Sequence, residues 1–249
     1  MLSETDRSIV IHDCKGATST IDFISPNEPN VGLGFRLCPN ANQEPHFQHV
    51  IQGIRTMCAG LGAAHLTEHE VQQLFTQRLI PKLTYALHLS SFTPTQCGHI
   101  DTIIRQKIIP RLRLNRHFPS AVLYGPMELG GLDFTQYETL QLTTQVSYLL
   151  KQLRWDRTVA NDSIVTLDSL QLASGLSTQL MEHPDKPIVY LGDSYFLHIR
   201  SQLAEINASI WIKDFWRPQV HRERDEFIMD KFLQIPGITR AELRQANAV

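Results

Sequence analysis

The spacing of apolar residues changes once along this chain, near residue 40, and this change limits the folds that the chain can adopt. Before it, SIVIH (8–12) and STIDFI (19–24) are rich in β-branched residues, with the turn-forming stretch CKGATS between them. This arrangement predicts an N-terminal β-hairpin. VGLGFRL (31–37) predicts a third short strand, which ends at Pro39-Asn40.

Helical spacing replaces this pattern after residue 40. The first predicted helix carries apolar residues at intervals of three and four, at positions 47, 50, 51, 54, 57, 58 and 61. Thr67 with Glu70 forms the capping-box pattern that opens a second helix. Thr93-Pro94 opens a third helix, whose apolar stripe is Ile100, Ile103, Ile104 and Ile108. Two further helices are predicted, at about 137–153 and 163–174.

The C-terminal part carries weaker patterns. HPDKP (183–187) is typical of a linker, ASIWI (208–212) predicts a strand, and residues 223–233 predict a helix. The predicted fold class is α+β and mainly α-helical, with a small N-terminal β-hairpin element, a helical bundle and a helical tail. We divide the chain into a β element (1–39), a helical region with a connector (40–155) and a C-terminal helical region (156–249).

Charge is distributed unevenly along the chain. Residues 71–127 contain seven lysines and arginines and one acid, Asp101, so they carry a formal charge of +6 in a chain whose total is −2. The remaining residues therefore carry −8, and such asymmetry indicates a polyanionic partner. Five of the cations fall within a dozen residues, with no acid among them: Arg105, Lys107, Arg111, Arg113 and Arg116. Because arginine binds phosphate oxygens in bidentate fashion, this stretch is the strongest candidate for nucleic-acid binding. The alternative is a solvated helix face that has no partner.

Four segments, taken in their order and spacing, resemble the reverse transcriptases of non-LTR retrotransposons downstream of the catalytic motif. VGLGFRLCPN (31–40) looks like the strand called the primer grip, and LIPKLTYALHLSSFTPTQCGHIDTIIRQ (79–106) resembles the thumb. NRHFPSAVLYGPMELGGLDF (115–134) resembles the connector that follows, and HRERDEFIMDKFL (221–233) resembles a tail region of some of these elements. The likeness spans about residues 5–233.

This resemblance implies a thumb that holds a template–primer duplex. It places Lys82 and the basic stretch in the thumb, and the backbone of Leu33 and Gly34 near the primer terminus, where glycine lets another backbone approach closely. The family's polymerase centre needs an upstream Asp and a Y-x-D-D-type hairpin to hold two Mg²⁺ ions. This sequence contains no Asp-Asp dipeptide. We therefore expect no catalytic residue, metal or cofactor in this chain, an RNA or DNA duplex as its ligand, and a palm-containing chain as a further partner.

Two alternatives stay open. One is a decayed element with no activity. The other is a zinc metallopeptidase, because HLTEH (65–69) places His65, Glu68 and His69 in an H-x-x-E-H pattern. As a helix N-cap, however, Thr67 would leave His65 outside the helix.

Targeting and redox signals are few. The four cysteines form no C-x-x-C pair and predict reduced thiols. The N-terminus is polar and acidic, unlike a secretory signal, and no run of eighteen apolar residues occurs. We therefore expect no membrane partner and an intracellular location, with the nucleus as the compartment that the resemblance suggests.

Overall fold

The computed structural model describes residues 9–12, 16, 18–21, 25–63, 66–155, 157–213, 215–216, 218–219, 222 and 224–248, which form two compact units. Unit 1 contains the chain up to Ala86 together with Phe92–His117, and unit 2 contains Leu87–Ser91 and Phe118–Val249. The predicted fold class is confirmed, because two small antiparallel strand pairs come first and helices follow. The predicted division into residues 1–39, 40–155 and 156–249 was drawn between functional modules. It does not describe compact units, and it stays a prediction.

Two hairpins open unit 1. Strand β1 (Ile9–His12) pairs antiparallel with β2 (Thr18–Ile21), as the sequence predicts. The prediction of one strand over 31–37 is wrong, because β3 (Asn30–Gly32) pairs with β4 (Phe35–Leu37) across a two-residue turn. Leu33 and Gly34 form this turn with φ of 51° and 85°. Positive φ at both central residues matches the right-handed twist of a hairpin, which explains why the chain reverses there.

Four α-helices follow the hairpins in the described part of unit 1. They are α1 (Glu44–Ala63), α2 (Glu68–Leu74), α3 (Ile80–Leu87, whose last residue belongs to unit 2) and α4 (Pro94–Lys107). Both predicted helix starts are confirmed: Thr67 caps α2 with Glu70, and Thr93 caps α4 with Gln96. A π-helical turn (Phe75–Leu79) precedes Pro81. Such a turn accommodates the missing N–H and the ring of a proline inside a helical stretch.

The core of unit 1 lies where α1 and α4 pack together. The apolar faces predicted for both helices are buried except at the half-buried Met57, and the most enclosed side chains include Ile51, Ile54, Ile100, Ile108 and Ile109. Burial of each such side chain contributes about 1.5 to 3 kcal/mol. Cys38, Cys58 and Cys97 are buried and, as the prediction of reduced thiols requires, form no disulfide among the described residues, while Cys14 lies outside those residues.

Unit 2 is helical. It contains α5 (Ser120–Leu123), α6 (Tyr137–Trp155), α7 (Arg157–Ser174), α8 (Tyr195–Glu205), α9 (Ile228–Phe232) and α10 (Arg240–Asn247). The strand predicted at 208–212 is wrong, because that segment is irregular and the Ile210 N–H donates to the Met181 carbonyl at 3.0 Å. The helix predicted at 223–233 is shorter than expected, and Glu223 lies outside the described residues. No helix among the described residues has the length and apolarity needed to cross a membrane.

A buried arginine organises the segment that the sequence predicts as a linker. Arg200, on α8, is 4% exposed, and burial lowers its pKa to about 10, so it stays charged at neutral pH. Its Nε donates to the Leu180 carbonyl at 2.9 Å. One terminal nitrogen donates to the carbonyls of His183, at 2.8 Å, and Lys186. HPDKP is therefore tied into unit 2 and does not link separate bodies.

Replacing Arg200 should destabilise unit 2. Arg200→Met leaves buried carbonyls without donors, and Arg200→Lys cannot reproduce the planar fork, so both should lower the free energy of unfolding by about 3 kcal/mol. Urea denaturation followed by circular dichroism measures this loss. Arg154→Met, which removes an exposed cation on α6, is the matched control. Equal unfolding midpoints for Arg200→Met and Arg154→Met would contradict this role.

Two glycines, Gly125 and Gly131, shape the connector between α5 and α6. A Cβ on Gly131 would lie 2.0 Å from the Gly125 carbonyl oxygen, and one on Gly125 would lie 2.6 Å from the Ala121 carbonyl oxygen. The Asp133 N–H donates to that same Gly125 carbonyl at 2.9 Å. The close approach of backbone to backbone explains why glycines occupy this connector.

Adding one methyl group at Gly131 should disrupt the connector. We expect Gly131→Ala to lower the thermal unfolding midpoint, with a loss of about 2 kcal/mol, because the backbone must move to relieve the overlap. Gly192→Ala is the control, since an added Cβ there meets no atom within 4 Å. Similar melting curves for the two variants, recorded by scanning calorimetry, would show that the connector tolerates a side chain.

Candidate nucleic-acid interface

The basic stretch lies where α4 ends. Arg105 and Lys107 occupy the last turn of α4, and Arg111 lies in the 3-10 turn (Ile109–Leu112) that follows. Ile108 and Ile109 are buried, so they hold this corner against the core while the charged side chains project outward. Arg113 ends the 3-10 turn in the left-handed conformation, with φ of 56°. We call residues 105–116 the basic corner.

The five cations of the basic corner differ in how exposed they are and in whether they already have a partner within the protein. Lys107, Arg111 and Arg116 are exposed, and no carboxylate of the described residues lies within ion-pair distance of them. Arg113 is also exposed, but its Nε lies 3.1 Å from a Glu68 carboxylate oxygen. Arg105 is half-buried and already engaged within the unit. Lys107 and Arg111 are therefore directly open to a phosphate, whereas the Arg116 Nε donates a hydrogen bond to the His117 ring at 3.0 Å.

The position of some of these cations can also be explained by the fold alone, without a bound ligand. Cations near a helix C-terminus interact favourably with the helix dipole, by about 0.3–1 kcal/mol each. This explains Arg105 and Lys107, which lie in the last turn of α4. It does not explain Arg111 or Arg116, which lie beyond that helix, so a binding role rests mainly on those two residues.

Leu33 and Gly34 lie at the tip of the β3–β4 hairpin. Leu33 is 90% exposed, and its backbone adopts the left-handed conformation. Both features are unfavourable for a leucine. The Tyr85 hydroxyl donates a hydrogen bond to the Leu33 carbonyl and holds the tip against α3. The strand backbone expected near a primer is therefore a turn.

Gly34 and Lys82 meet at a cavity that the sequence did not reveal. We call it the hairpin cavity, a space of about 220 Å³ lined by Gly34, His46, His49, Val50, Ile54, Lys82, Leu83, Tyr85 and Ala86. Lys82 and Tyr85 are three residues apart on α3, and His46 and His49 are three apart on α1. That spacing places each pair on one helix face, but no sequence signal indicates that the two faces meet.

His46 joins the hairpin to α1. It is 2% exposed, and its Nδ1 accepts a hydrogen bond from the Arg36 N–H at 3.3 Å. The ring also lies between Phe35 and Phe92, with centroids at 5.2 and 5.9 Å. Burial lowers the pKa of His46 below 6.5, and the charges of His49 and Arg36 act in the same direction, while the Ala86 backbone opposes them. The neutral ring is therefore the folded form.

The zinc-peptidase pattern finds no support in this geometry. His65 lies outside the described residues. The Thr67 side chain accepts from the Glu70 N–H as the N-cap of α2, while Glu68 pairs with Arg113 and His69 with Gln73. Within the described part of the chain, no group of three His, Cys, Asp or Glu side chains is arranged to hold a metal ion.

Comparison with known proteins identifies no relative. No protein-family model, curated protein or solved structure matches the chain.

Acid should weaken unit 1 through His46. The folded state lowers the pKa of His46, so the unfolded chain binds a proton at this histidine more readily. The contribution of neutral His46 to the free energy of unfolding is therefore complete above about pH 6.5 and is lost as the pH falls below that value. The loss cannot exceed about 1.4 kcal/mol per pH unit for one histidine. Urea midpoints measured from pH 7.5 to 5.5 should fall less steeply in His46→Gln than in the wild-type protein.

His69→Gln is the control for this measurement, because His69 is exposed on α2. Burial also lowers the pKa of His198 in unit 2, so part of the acid sensitivity should persist in His46→Gln. An unchanged slope in His46→Gln would assign the acid sensitivity to other groups.

Proposed function

We propose that this chain is a nucleic-acid-binding portion of a non-LTR retrotransposon-type reverse transcriptase, which grips a template–primer duplex and does not polymerise by itself. The observation that carries the proposal is the basic corner, where Lys107, Arg111 and Arg116 are exposed and have no carboxylate partner among the described residues. The resemblance of residues 79–106 to the thumb agrees with this assignment. A site of action on chromosomal DNA would place the chain in the nucleus.

Electrostatics favour a polyanion as the ligand. Residues 25–117 contain nine lysines and arginines and five acids, so this part of unit 1 carries a formal charge of +4. Each cation that meets a phosphate releases condensed counterions, which gives affinity that falls with salt and does not depend on base sequence. Such contacts position a duplex without reading its sequence. The proposed role is therefore a general grip on RNA–DNA or DNA duplexes.

Polymerase chemistry is assigned to a different part of the parent enzyme. Two-metal phosphoryl transfer needs carboxylates that hold both ions a few ångströms apart. This chain has no Asp-Asp dipeptide, so the Mg²⁺ ligands would come from a palm segment or a palm-containing chain. We expect the purified chain to bind primer–template without extending it.

A salt titration tests the proposal. Filter binding of a blunt duplex at several salt concentrations should give a steep slope of log affinity against log salt, and Arg111→Ala and Arg116→Ala should each shallow it by about one unit. Arg55→Ala is the matched control, because Arg55 is an exposed cation on α1 outside the basic corner. Duplex binding that is absent at low salt, or equal in all three variants, would favour a remnant without activity.

The ion pair of Arg113 offers an independent check. Glu68→Gln removes the carboxylate that lies 3.1 Å from Arg113 Nε, so one more cation becomes available to phosphate. Duplex affinity should rise by a factor of about 2 to 5, because an exposed ion pair contributes about 1 kcal/mol or less. Glu70→Gln is a poor control, since Glu70 completes the α2 cap. Glu44→Gln, an exposed substitution on α1, should leave the affinity unchanged.

A further inference from the structure

Residues 208–216 of unit 2 contain no helix or strand where the structure describes them, and their side chains alternate between core and surface. Ile210 is buried, and Phe215 packs against the same hydrophobic core. Trp211, next to Ile210, is 64% exposed, and Trp216, next to Phe215, is 45% exposed. The inward side chains therefore hold this segment in place while the two indoles stay open to solvent.

Two exposed tryptophans this close together need a physical explanation. An indole is among the largest apolar groups that a protein can bury, so leaving two of them half open forgoes a large stabilisation. Neither indole has an aromatic partner among the described residues. Tryptophan and arginine are also enriched where proteins bind other molecules. The pair is therefore a candidate binding surface of unit 2.

The charge around the two indoles differs from that of the rest of unit 2. We call residues 208–224 the tryptophan segment. It contains four lysines and arginines and two acids, a formal charge of +2, whereas the rest of unit 2 contains eight and fourteen, a formal charge of −6. Lys213, Arg222 and Arg224 are exposed, and no carboxylate of the described residues lies within ion-pair distance of them. The tryptophan segment therefore combines open aromatic faces with cations that can meet an anion.

We propose that the tryptophan segment binds single-stranded nucleic acid, with bases stacked on Trp211 and Trp216 and a phosphate bound to Lys213. Unpaired bases stack on exposed aromatic side chains while cations follow the backbone, and this combination accepts every base because each has a π-face. The inference goes beyond the proposed function, since it concerns unit 2 and an unpaired strand rather than the basic corner and a duplex.

The order of the exposed side chains favours a nucleic-acid strand over a protein surface as the ligand. Lys213 lies between Trp211 and Trp216 along the chain. A nucleic-acid strand alternates flat bases with phosphates, so it supplies a stacking face and an anion together. An apolar protein surface that buried both indoles would also take the Lys213 ammonium out of water without a carboxylate, which is costly.

Quenching of indole fluorescence by a short oligodeoxythymidylate tests this inference. Stacked bases should quench the emission and give saturable binding. An abasic strand of the same length carries the same phosphates without bases, so it should bind at least about tenfold more weakly and quench little. Equal affinities for the two strands would show that charge alone holds them and would overturn the inference.

Substitutions at Trp211 separate stacking from simple apolar contact. Trp211→Leu keeps an apolar side chain but loses the ring, so it should weaken oligodeoxythymidylate binding by about tenfold, whereas Trp211→Phe should weaken it by about threefold or less. Fluorescence anisotropy of a labelled strand measures both variants. Leu172→Ala is the matched control, because Leu172 on α7 is also 64% exposed, and its affinity should equal that of the wild-type protein. A Trp211→Leu variant that binds as tightly as Trp211→Phe would overturn the inference.

The phosphate contact has its own test. Lys213→Met should shallow the slope of log affinity against log salt for oligodeoxythymidylate by about 0.7, the value expected for one phosphate of a single strand. Arg154→Met is the matched control, since Arg154 is an exposed cation of unit 2 outside the tryptophan segment. Equal slopes for the two variants would overturn the role of Lys213.

A comparison with the variants of the basic corner separates this inference from the proposed function. The preference for the strand that carries bases should persist in Arg111→Ala and be lost in Trp211→Leu. A chain that ignores the blunt duplex but keeps this preference would end the proposed function and leave the tryptophan segment assigned. Self-association that Trp211→Leu abolishes, measured by analytical ultracentrifugation in a chain without this preference, would assign the surface to a second copy of the chain and overturn the inference.

Discussion

Burial of the isoleucine stripe that runs along α4 to Ile108 is the constraint on which the proposed interface depends. Ile100, Ile104 and Ile108 pack into unit 1 with 6% or less of their surface exposed, and Ile109 continues the contact into the 3-10 turn. Because these side chains point inward, the residues between them must point outward. The cations of the basic corner are therefore presented on a fixed backbone. If this surface binds as proposed, it would lose little conformational entropy of the backbone on binding, because folding has already ordered that segment.

A second constraint is the neutral ring of His46. It accepts from the β4 backbone and packs between two aromatic rings, so it couples the position of the hairpin tip to the start of α1. The Tyr85 hydroxyl makes the matching contact from α3. The hairpin cavity exists because these two contacts hold the tip above the groove between the helices. A charged imidazole would lose the acceptor on Nδ1 and with it one of the two attachments.

The sequence correctly predicted those secondary-structure elements that depend mainly on interactions between residues close together in the chain. The capping box at Thr67, the helix start at Thr93-Pro94 and the stripe from Ile100 to Ile108 are found as expected. VGLGFRL was wrongly predicted as a single strand because its apolar residues continue through the turn. Leu-Gly is also not one of the dipeptides that are typical of a two-residue hairpin turn. ASIWI has the composition of a strand, but the described residues offer it no neighbouring strand to pair with. Ile210 packs into a helical core instead.

The basic corner could be predicted because its charges are contiguous along the chain, whereas the hairpin cavity could not. Gly34, His46 and Lys82 are separated by 12 and 36 residues, and only the packing of α1 against the hairpin and α3 brings them together. The hydrogen bond from the Tyr85 hydroxyl to the Leu33 carbonyl could not be predicted either, because the two residues are far apart in the sequence. His46 also looks in the sequence like an ordinary first-turn residue of an amphipathic helix.

The contact between Glu68 and Arg113 has a consequence for selectivity. The carboxylate acts as an internal competitor, so a small solitary anion gains little by displacing it. A polymer that already engages Arg111 and Arg116 presents its next phosphate at a high effective concentration and can take over the guanidinium. Valency, rather than charge alone, would then decide which anions the proposed interface retains.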